Sequence, residues 1–246
     1  MARSKLLQDN LFLNKFYCNM FKDKGKNFES LVDFRSLINE NESFDMDYFN
    51  FFIADEKLRK KIKTYNENIQ EYLDKINSKR EIQIELKYFQ YLAILFTEIH
   101  LDRYFEDPKE FRNEIEEFMF KNYPDEEISF DDLNLRKIAI WSATGSGKTL
   151  LMHINYLQVC RYLNEHSQLD EVENFYLITP NEGMSRQHKD ELTESSLESE
   201  YLNPAAFSQG SLSKWADQKT NIKILDNHKI IKASEVGEKT KSHNSC

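Results

Sequence analysis

The sequence has few of the residues that interrupt regular structure. Only six glycines and four prolines occur among its 246 residues. Because glycine and proline mark turns, this scarcity favours long helices and strands and argues against a turn-rich all-β sandwich. Hydrophobic residues make up 40% of the chain and charged residues 30%, which is the composition of a folded protein with a hydrated surface.

Cysteine and positive charge are also scarce. Cys18, Cys160 and Cys246 lie far apart and form no CxxC pair. This spacing argues against a disulfide framework and a zinc site, and it favours a reducing cytosol. The formal net charge is −9, which argues against a protein that coats DNA, since neutralising phosphates needs clustered lysine and arginine. A local basic groove is still compatible with this charge.

Long apolar runs are missing as well. No run approaches the roughly 18 apolar residues that a membrane helix needs. Asp9, Asn10, Asn14 and Lys15 interrupt the apolar start of the chain, so it does not read as a secretory signal. We therefore expect a cytoplasmic protein without a membrane partner.

The first half of the chain has helical periodicity. Apolar residues alternate at spacings of four and three, which predicts one stripe of one helix. They are Leu58, Ile62, Tyr65, Ile69, Tyr72 and Ile76. An antiparallel helix pair inside the domain explains this stripe better than a dimeric coiled coil. The segment Glu85–Phe105 is apolar on most sides and predicts a central helix that ends at Asp107 and Pro108.

The pattern changes after an acidic stretch, and we place a domain boundary around residues 122–132. This boundary divides the chain into a helical region, 1–130, and a second region, 131–246. In the second region strands and helices alternate, as in the βαβ unit of a parallel sheet. The predicted elements are strand Lys137–Trp141, helix Thr149–Leu163, buried strand Phe175–Thr179, helix Ser185–Leu197 with Ser185 as N-cap, and a weaker strand Ile222–Leu225.

The segment ATGSGKT, between the first predicted strand and helix, has the pattern of a phosphate-binding loop. Its glycines let backbone N–H groups point at an anion, and the helix N-terminus adds partial positive charge. Lys148 would reach the β- and γ-phosphates of ATP, and the Thr149 hydroxyl would bind Mg²⁺. Ser142 replaces the first glycine of the strict pattern. The predicted nucleotide-binding residues here are Thr144, Gly145, Ser146, Gly147, Lys148 and Thr149.

The next strand runs into ITPNEGMSRQH, and at this point the sequence resembles the superfamily-2 helicases. ATGSGKT is similar to their motif I and ITPNEGMSRQH to their motif Ia, and the subunits of type I and type III restriction systems are the most similar. The resemblance implies an α/β protein in which a helical N-terminal region precedes an incomplete, RecA-like P-loop parallel sheet. It also implies DNA as a partner, together with methyltransferase or nuclease subunits.

In that family motif Ia touches the backbone of the tracked strand. The resemblance therefore assigns nucleic-acid contacts to Thr179, Pro180, Asn181, Arg186 and Gln187. The alternative is that Pro180 only ends a strand and Arg186 only faces solvent. Helicases of this kind often use a glutamine upstream of motif I to read adenine, and Gln90 is the candidate, against an ordinary amide on a helix surface. His100 and Asp102 are expected to be packing and surface residues.

One part of the hydrolytic machinery is missing from this sequence. The family hydrolyses ATP with a strand ending in Asp-Glu, in which the glutamate positions water. The later candidate, IKILDNHKI, has Asn227 after Asp226. We interpret it as an earlier strand of the sheet, with a degraded Asp-Glu strand as the alternative. We expect a truncated helicase fragment that binds ATP without hydrolysing it; the alternatives are a non-enzymatic interaction module and, less favoured, a small-molecule kinase.

Overall fold

The structure, a computed structural model, describes residues 12–35, 46–124, 132–202 and 222–227. The chain divides into two compact units, which are described separately. The first comprises Met1–Tyr72 and Glu85–Leu151, and the second comprises Leu73–Ile84 and Met152–Cys246. Most of the predicted boundary around residues 122–132 lies outside the described residues, so the division at residue 130 stays a prediction. Cys246 also lies outside the described residues.

The first unit is mainly helical. Its elements are α1 (Phe12–Cys18), β1 (Lys22–Asp23), β2 (Lys26–Asn27), α2 (Leu31–Arg35), α3 (Met46–Asn50), most of α4 (Glu56–Asn77), α5 (Tyr88–Glu106), α6 (Pro108–Asn122), α7 (Asp132–Leu135) and the start of α8 (Lys148–Glu165). The β1–β2 hairpin turns at Lys24 and Gly25, whose φ values are 47° and 81°. Positive φ at both central residues is typical of a tight hairpin turn, which the sequence pattern did not predict.

The predicted stripe on α4 is confirmed. All six of its apolar residues are buried, from Leu58 to Ile76. Lys61 Nζ lies 2.6 Å from the carboxylate of Asp102, and Asn68 Nδ2 donates to Glu98 Oε1 at 2.8 Å. Residue numbers rise along α4 as they fall along α5, so the two helices are antiparallel, as predicted.

The central helix α5 also agrees with the prediction. Most of its side chains are buried, including polar ones such as Glu98 and His100. It ends at Glu106, and Pro108 is the first residue of α6. The Asp107 carboxylate accepts hydrogen bonds from the backbone N–H groups of Lys109 and Glu110, so one residue ends α5 and caps α6.

The second unit contains a parallel sheet. It consists of β3 (Phe175–Thr179), β4 (Ser199–Tyr201) and β5 (Ile222–Asp226) in the order β3-β5-β4, with α9 (Glu182–Glu194) after β3. A short 3₁₀ helix, Leu169–Glu171, precedes β3. Thr179 is aligned with Asp226, so the carboxyl ends of β3 and β5 lie side by side. Two of the three predicted strands, Phe175–Thr179 and Ile222–Leu225, are confirmed, whereas the three-residue β4 was not predicted.

Two predicted features of the strands are wrong. Lys137–Trp141 forms no strand, and the side chain of Trp141 is 76% exposed. A strand needs a neighbour to satisfy its backbone, and in the described part of the first unit the only strands, β1 and β2, pair with each other. β3 was expected to be buried on both faces, but it is an edge strand of the described sheet, and Tyr176 and Ile178 are exposed.

The strand predicted to be the weaker one, β5, is instead the most deeply buried strand of the described sheet. Every residue of β5 is buried, because β3 and β4 pair with it on either side. Lys223 is only 1% exposed, and register pairs it with Glu200, with which it forms a salt bridge. Burial lowers the pKa of Lys223 below its ordinary value. The lysine interrupts the apolar run, so the sequence predicted this strand as weaker than its burial shows it to be.

Candidate nucleotide-binding site

The loop Ser142–Gly147 has a backbone conformation that only glycine adopts easily at two positions. Gly145 has a φ of +77° and Gly147 a φ of +88°. A Cβ atom at Gly147 would overlap Nε2 of Gln90, so this glycine is required both by its backbone and by its neighbour. α8 begins at the next residue, Lys148, and its N-terminus therefore opens onto the loop.

Gln90 holds this loop in place. Its side chain is 7% exposed and lies in the first turn of α5. Nε2 donates to the carbonyl oxygen of Ser146 at 2.8 Å, and Oε1 accepts from the backbone N–H of Lys87 at 2.8 Å. The interpretation of Gln90 as an amide on a helix surface is therefore wrong. The adenine-reading role stays a prediction, since each end of the amide keeps one hydrogen-bonding position.

The side chain of Lys148 folds back over the loop. Nζ donates to the carbonyl oxygens of Ser142 at 3.1 Å and Ala143 at 2.9 Å. Both acceptors are neutral, so the charged phosphate oxygens of a nucleotide would form stronger hydrogen bonds to Nζ than these carbonyls do. Thr149 follows in the first turn of α8 and is half-buried.

Two hydroxyl groups of the loop indicate whether its residues fit a triphosphate. The Oγ atoms of Ser142 and Ser146 are buried and have no hydrogen-bond partner within the described residues. Buried polar atoms without partners are uncommon and often mark a binding site. Together with Lys148 and the N-terminus of α8, these donors suit an anion. The residues present therefore fit the phosphates of a nucleotide.

The metal expectation rests on Thr149 alone. No group of three or more His, Cys, Asp or Glu side chains that could hold a metal ion occurs in the part of the chain that the structure describes. Mg²⁺ in nucleotide sites is commonly held by substrate phosphates and water, with few protein ligands. The Thr149 hydroxyl in this position suits that kind of site.

Thr179 and Asn181, from the second predicted motif, have structural roles in the second unit. Thr179 is 2% exposed, and its Oγ1 lies 2.6 Å from Ser185 Oγ and donates to Leu225 O at 3.2 Å. Asn181 is the N-cap of α9, because its Oδ1 accepts from Met184 N at 3.0 Å. The prediction of Ser185 as N-cap is wrong: extended backbone places Asn181 at the helix start, and Ser185 donates to Asn181 O from inside the helix.

Pro180, Arg186 and Gln187 are exposed beside this cap. Arg186 Nη2 pairs with Glu182 at 3.1 Å, and Gln187 Nε2 donates to Glu191 at 2.8 Å. Both partners are acidic residues of the same helix, so both side chains are held along α9 and stay accessible. The structure thus groups these residues at the start of α9, and it groups Gln90 with the loop in the other unit.

A family comparison decides which class of protein carries these two motifs. The sequence model of the family "Type III restriction enzyme, res subunit" matches residues 83–245, which is most of the chain from just before α5 onward. The chain belongs to this family. Residues 83–245 are accordingly a helicase-like superfamily-2 N-terminal domain, an ATP-binding module of restriction systems, and the predicted resemblance is confirmed.

Two further comparisons, with curated proteins and with solved structures, found no match for this member of the family. Over the described residues, none of the helices combines the length and apolar character needed to span a membrane. The family match extends over Gln90, the loop from Ser142 to Thr149 and the start of α9.

Proposed function

We propose that this chain binds ATP together with Mg²⁺ at the loop Ser142–Thr149. The observation that carries the proposal is the conformation of the loop, with Gly145 and Gly147 at positive φ directly before the N-terminus of α8. This arrangement directs backbone N–H groups and partial positive charge toward one point, which is what a phosphate chain requires. The hydrogen bond from Gln90 to Ser146 O holds the arrangement in place.

Each side chain of the loop has a separate task in this proposal. Lys148 exchanges the carbonyl oxygens of Ser142 and Ala143 for oxygens of the β- and γ-phosphates. The hydroxyls of Ser142 and Ser146 gain acceptors, and the Thr149 hydroxyl binds Mg²⁺. Bound Mg²⁺ supplies charge that neutralises the phosphates.

We further propose that the start of α9 contacts the backbone of DNA. Pro180, Asn181, Arg186 and Gln187 are exposed there, and the helix N-terminus offers backbone N–H groups to a phosphate. Thr179 is buried, so its task is to hold Ser185 and β5 in register beneath this surface. DNA, and methyltransferase or nuclease subunits as partners, follow from the restriction-family resemblance.

The chain by itself is proposed to bind ATP without hydrolysing it. Asp226 ends the buried strand β5, but the next residue is Asn227, and an amide does not accept a proton from water. The position of Asp226 beside Thr179 suits a strand that supports the sheet and the start of α9. Lys148 and Thr149 would therefore hold the triphosphate, while the position after Asp226 would supply no carboxylate to activate water.

A titration with a fluorescent ATP analogue in the presence of Mg²⁺ tests nucleotide binding. Lys148→Ala removes a charge-assisted interaction worth about 1.5–3 kcal/mol in total, so Kd should rise roughly 10- to 100-fold. Lys109→Ala, an exposed lysine outside the loop, is the matched control and should leave Kd unchanged. Equal affinity of the wild-type chain and Lys148→Ala would contradict the proposed site.

Phosphate release, measured with and without DNA, tests the absence of turnover. The expected result is no release above background in either condition. DNA-stimulated release that Lys148→Ala abolishes would show that the chain hydrolyses ATP, and it would refute the proposal that the chain binds ATP without turnover. Release that persists in Lys148→Ala would come from a contaminating enzyme, whereas Lys109→Ala should behave as the wild-type chain does in either condition.

A further inference from the structure

One face of α5 lies along the chain that leads into the nucleotide-binding loop. Residues at spacings of three and four are neighbours on a helix surface and form this face. They are Gln90, Ala93, Thr97, His100 and Tyr104. Near one end of the face, Gln90 binds the loop. Near the other end, His100 contacts the backbone of Leu135, and Tyr104 contacts the side chain of the next residue. The chain is therefore held against α5 both before the loop and within it.

His100 is fixed on both sides of its ring. It is 2% exposed, its Nε2 atom lies 2.7 Å from Leu135 O, and its Nδ1 atom lies 2.7 Å from the hydroxyl oxygen of Tyr17. A carbonyl oxygen only accepts, so Nε2 carries the proton and donates it, and Nδ1 accepts from Tyr17. Burial, the largest cause in each case, lowers the pKa of His100 and raises the pKa of Tyr17. The ring is therefore neutral at neutral pH, and the phenol keeps the proton that it donates.

Tyr104 supports the same end of the chain nearer the surface. Its hydroxyl oxygen accepts from Arg136 Nε at 2.9 Å. The backbone N–H of Lys137 donates to Asn134 O at 3.1 Å, which closes a turn directly after α7. Together with the bond from His100, these contacts tie α7 and the turn after it to the last two turns of α5.

Between these contacts the chain has little support of its own. Lys137–Trp141 forms no strand, and it lines a cavity of about 370 Å³ together with Ala93 and Thr97, so no close packing fills the space beside it. Gln90 and His100 lie about 15 Å apart along α5. The chain between their two partners could extend over about 36 Å. Because this chain is longer than the distance it covers, its end contacts determine its path.

We propose that His100, together with the neighbouring Tyr104, is a positioning residue for the nucleotide-binding loop. His100 holds the backbone at Leu135, before the loop, and Gln90 holds the loop itself. The two contacts on one helix place the loop before a nucleotide binds. His100 acts only through the chain between Leu135 and the loop. This role rests on the proposed binding of ATP there.

Two amide substitutions separate the bond to Leu135 from the other contacts of His100. His100→Gln places a side-chain N–H where Nε2 lies and keeps a donor for Leu135 O. His100→Asn is one methylene shorter, so it keeps an acceptor for Tyr17 but does not reach Leu135. In titrations with ATP and Mg²⁺, Kd should be about three- to tenfold higher for His100→Asn than for His100→Gln, since the two differ by one buried hydrogen bond. Tyr17→Phe removes a hydrogen bond from the same core without removing the donor to Leu135, so it should bind ATP as the wild-type chain does.

Glycine signals report on the loop without any nucleotide. In chains labelled with ¹⁵N-glycine, the NMR signals of Gly145, Gly147 and Gly183 are identified by their loss in the corresponding glycine-to-alanine variants. His100→Asn should shift or broaden the signals of Gly145 and Gly147. The signal of Gly183, which belongs to the second unit, should keep its position. His100→Gln should leave all three close to their wild-type positions, and circular dichroism checks that each variant is folded.

Unmoved signals of Gly145 and Gly147 in a folded His100→Asn, or equal ATP affinities of His100→Asn and His100→Gln, would overturn the proposal. If neither variant folds, Tyr104→Phe, which removes only the bond to Arg136, should shift the same two signals, and signals that stay in place would overturn the proposal. A wild-type chain that does not bind ATP would refute the proposed function instead, and the glycine signals would still decide whether His100 positions the loop.

Discussion

At the scale of single residues, Gln90 joins two parts of the sequence that lie 56 positions apart. One end of its amide caps the first turn of α5 and the other end binds the carbonyl of Ser146. The motif ATGSGKT could be recognised from the local sequence, because its glycines and its lysine have a fixed spacing. The contact with Gln90 could not, since no local pattern relates a helix residue to a distant loop.

Gln90 has two candidate tasks that a single substitution distinguishes. Gln90→Ala removes two hydrogen bonds of about 1 kcal/mol each, so nucleotide affinity should fall about tenfold or more. If Gln90 acts only on the loop, Kd should rise equally for ATP and GTP. If it also reads adenine, the preference for ATP should shrink. Titrations of both nucleotides against both chains measure this, and an unchanged Kd for both would contradict either task.

Gly147 should be the least replaceable residue of the loop. Gly147→Ala places a Cβ where Gln90 Nε2 lies and imposes a φ of +88° on alanine, which costs roughly 1–2 kcal/mol or more. We expect nucleotide binding to weaken about tenfold at least. Gly25→Ala is the matched control, because its φ is +81° but nothing lies within 4 Å of the added atom. It should lower stability slightly and leave the nucleotide titration unchanged; a similar loss of affinity in both variants would contradict this view.

At the scale of helices and strands, periodicity predicted the elements whose own residues determine them. α4 and α5 follow from apolar spacing, and β3 follows from a short β-rich run. The segment Lys137–Trp141 has the same kind of composition but forms no strand, because strand formation also depends on a neighbour. Asn181 and Ser185 are both good caps, so only the backbone decides between them.

An ion-pair network joins α5 and α6 of the first unit to Asp55, the residue just before α4. Arg103 of α5 is 9% exposed, lies 3.0 Å from Asp55 and also pairs with Glu114 of α6. Arg103→Met removes this partner from both carboxylates, of which Glu114 keeps Lys57, and should lower the free energy of unfolding by about 1.5–3 kcal/mol. Lys60→Met breaks the exposed pair with Glu56 on α4 and should cost at most about 1 kcal/mol. Urea unfolding followed by circular dichroism compares the two, and similar losses would show that the Arg103 network is not a major support.

At the scale of the whole molecule, charge limits how DNA could be held. The net charge is −9, so the chain as a whole repels a polyanion. Among the exposed residues assigned to DNA at the start of α9, Arg186 alone is cationic, and it is paired with Glu182. We therefore expect contacts that orient the DNA backbone more than they attract it, with the affinity supplied mainly by neutral donors and the helix N-terminus.

Salt dependence of DNA binding measures this directly. Each phosphate neutralised by a cation contributes a slope of about −0.7 to −0.9 in a plot of log K against log salt concentration. With one cation at the start of α9, the slope for this chain should be near −1. Arg186→Ala should bring it close to zero, while Lys63→Ala, whose side chain is 88% exposed on α4, should not change it. A steep slope of about −5 or more that survives Arg186→Ala would place the DNA on another, basic surface of the chain, because only several neutralised phosphates produce such a slope.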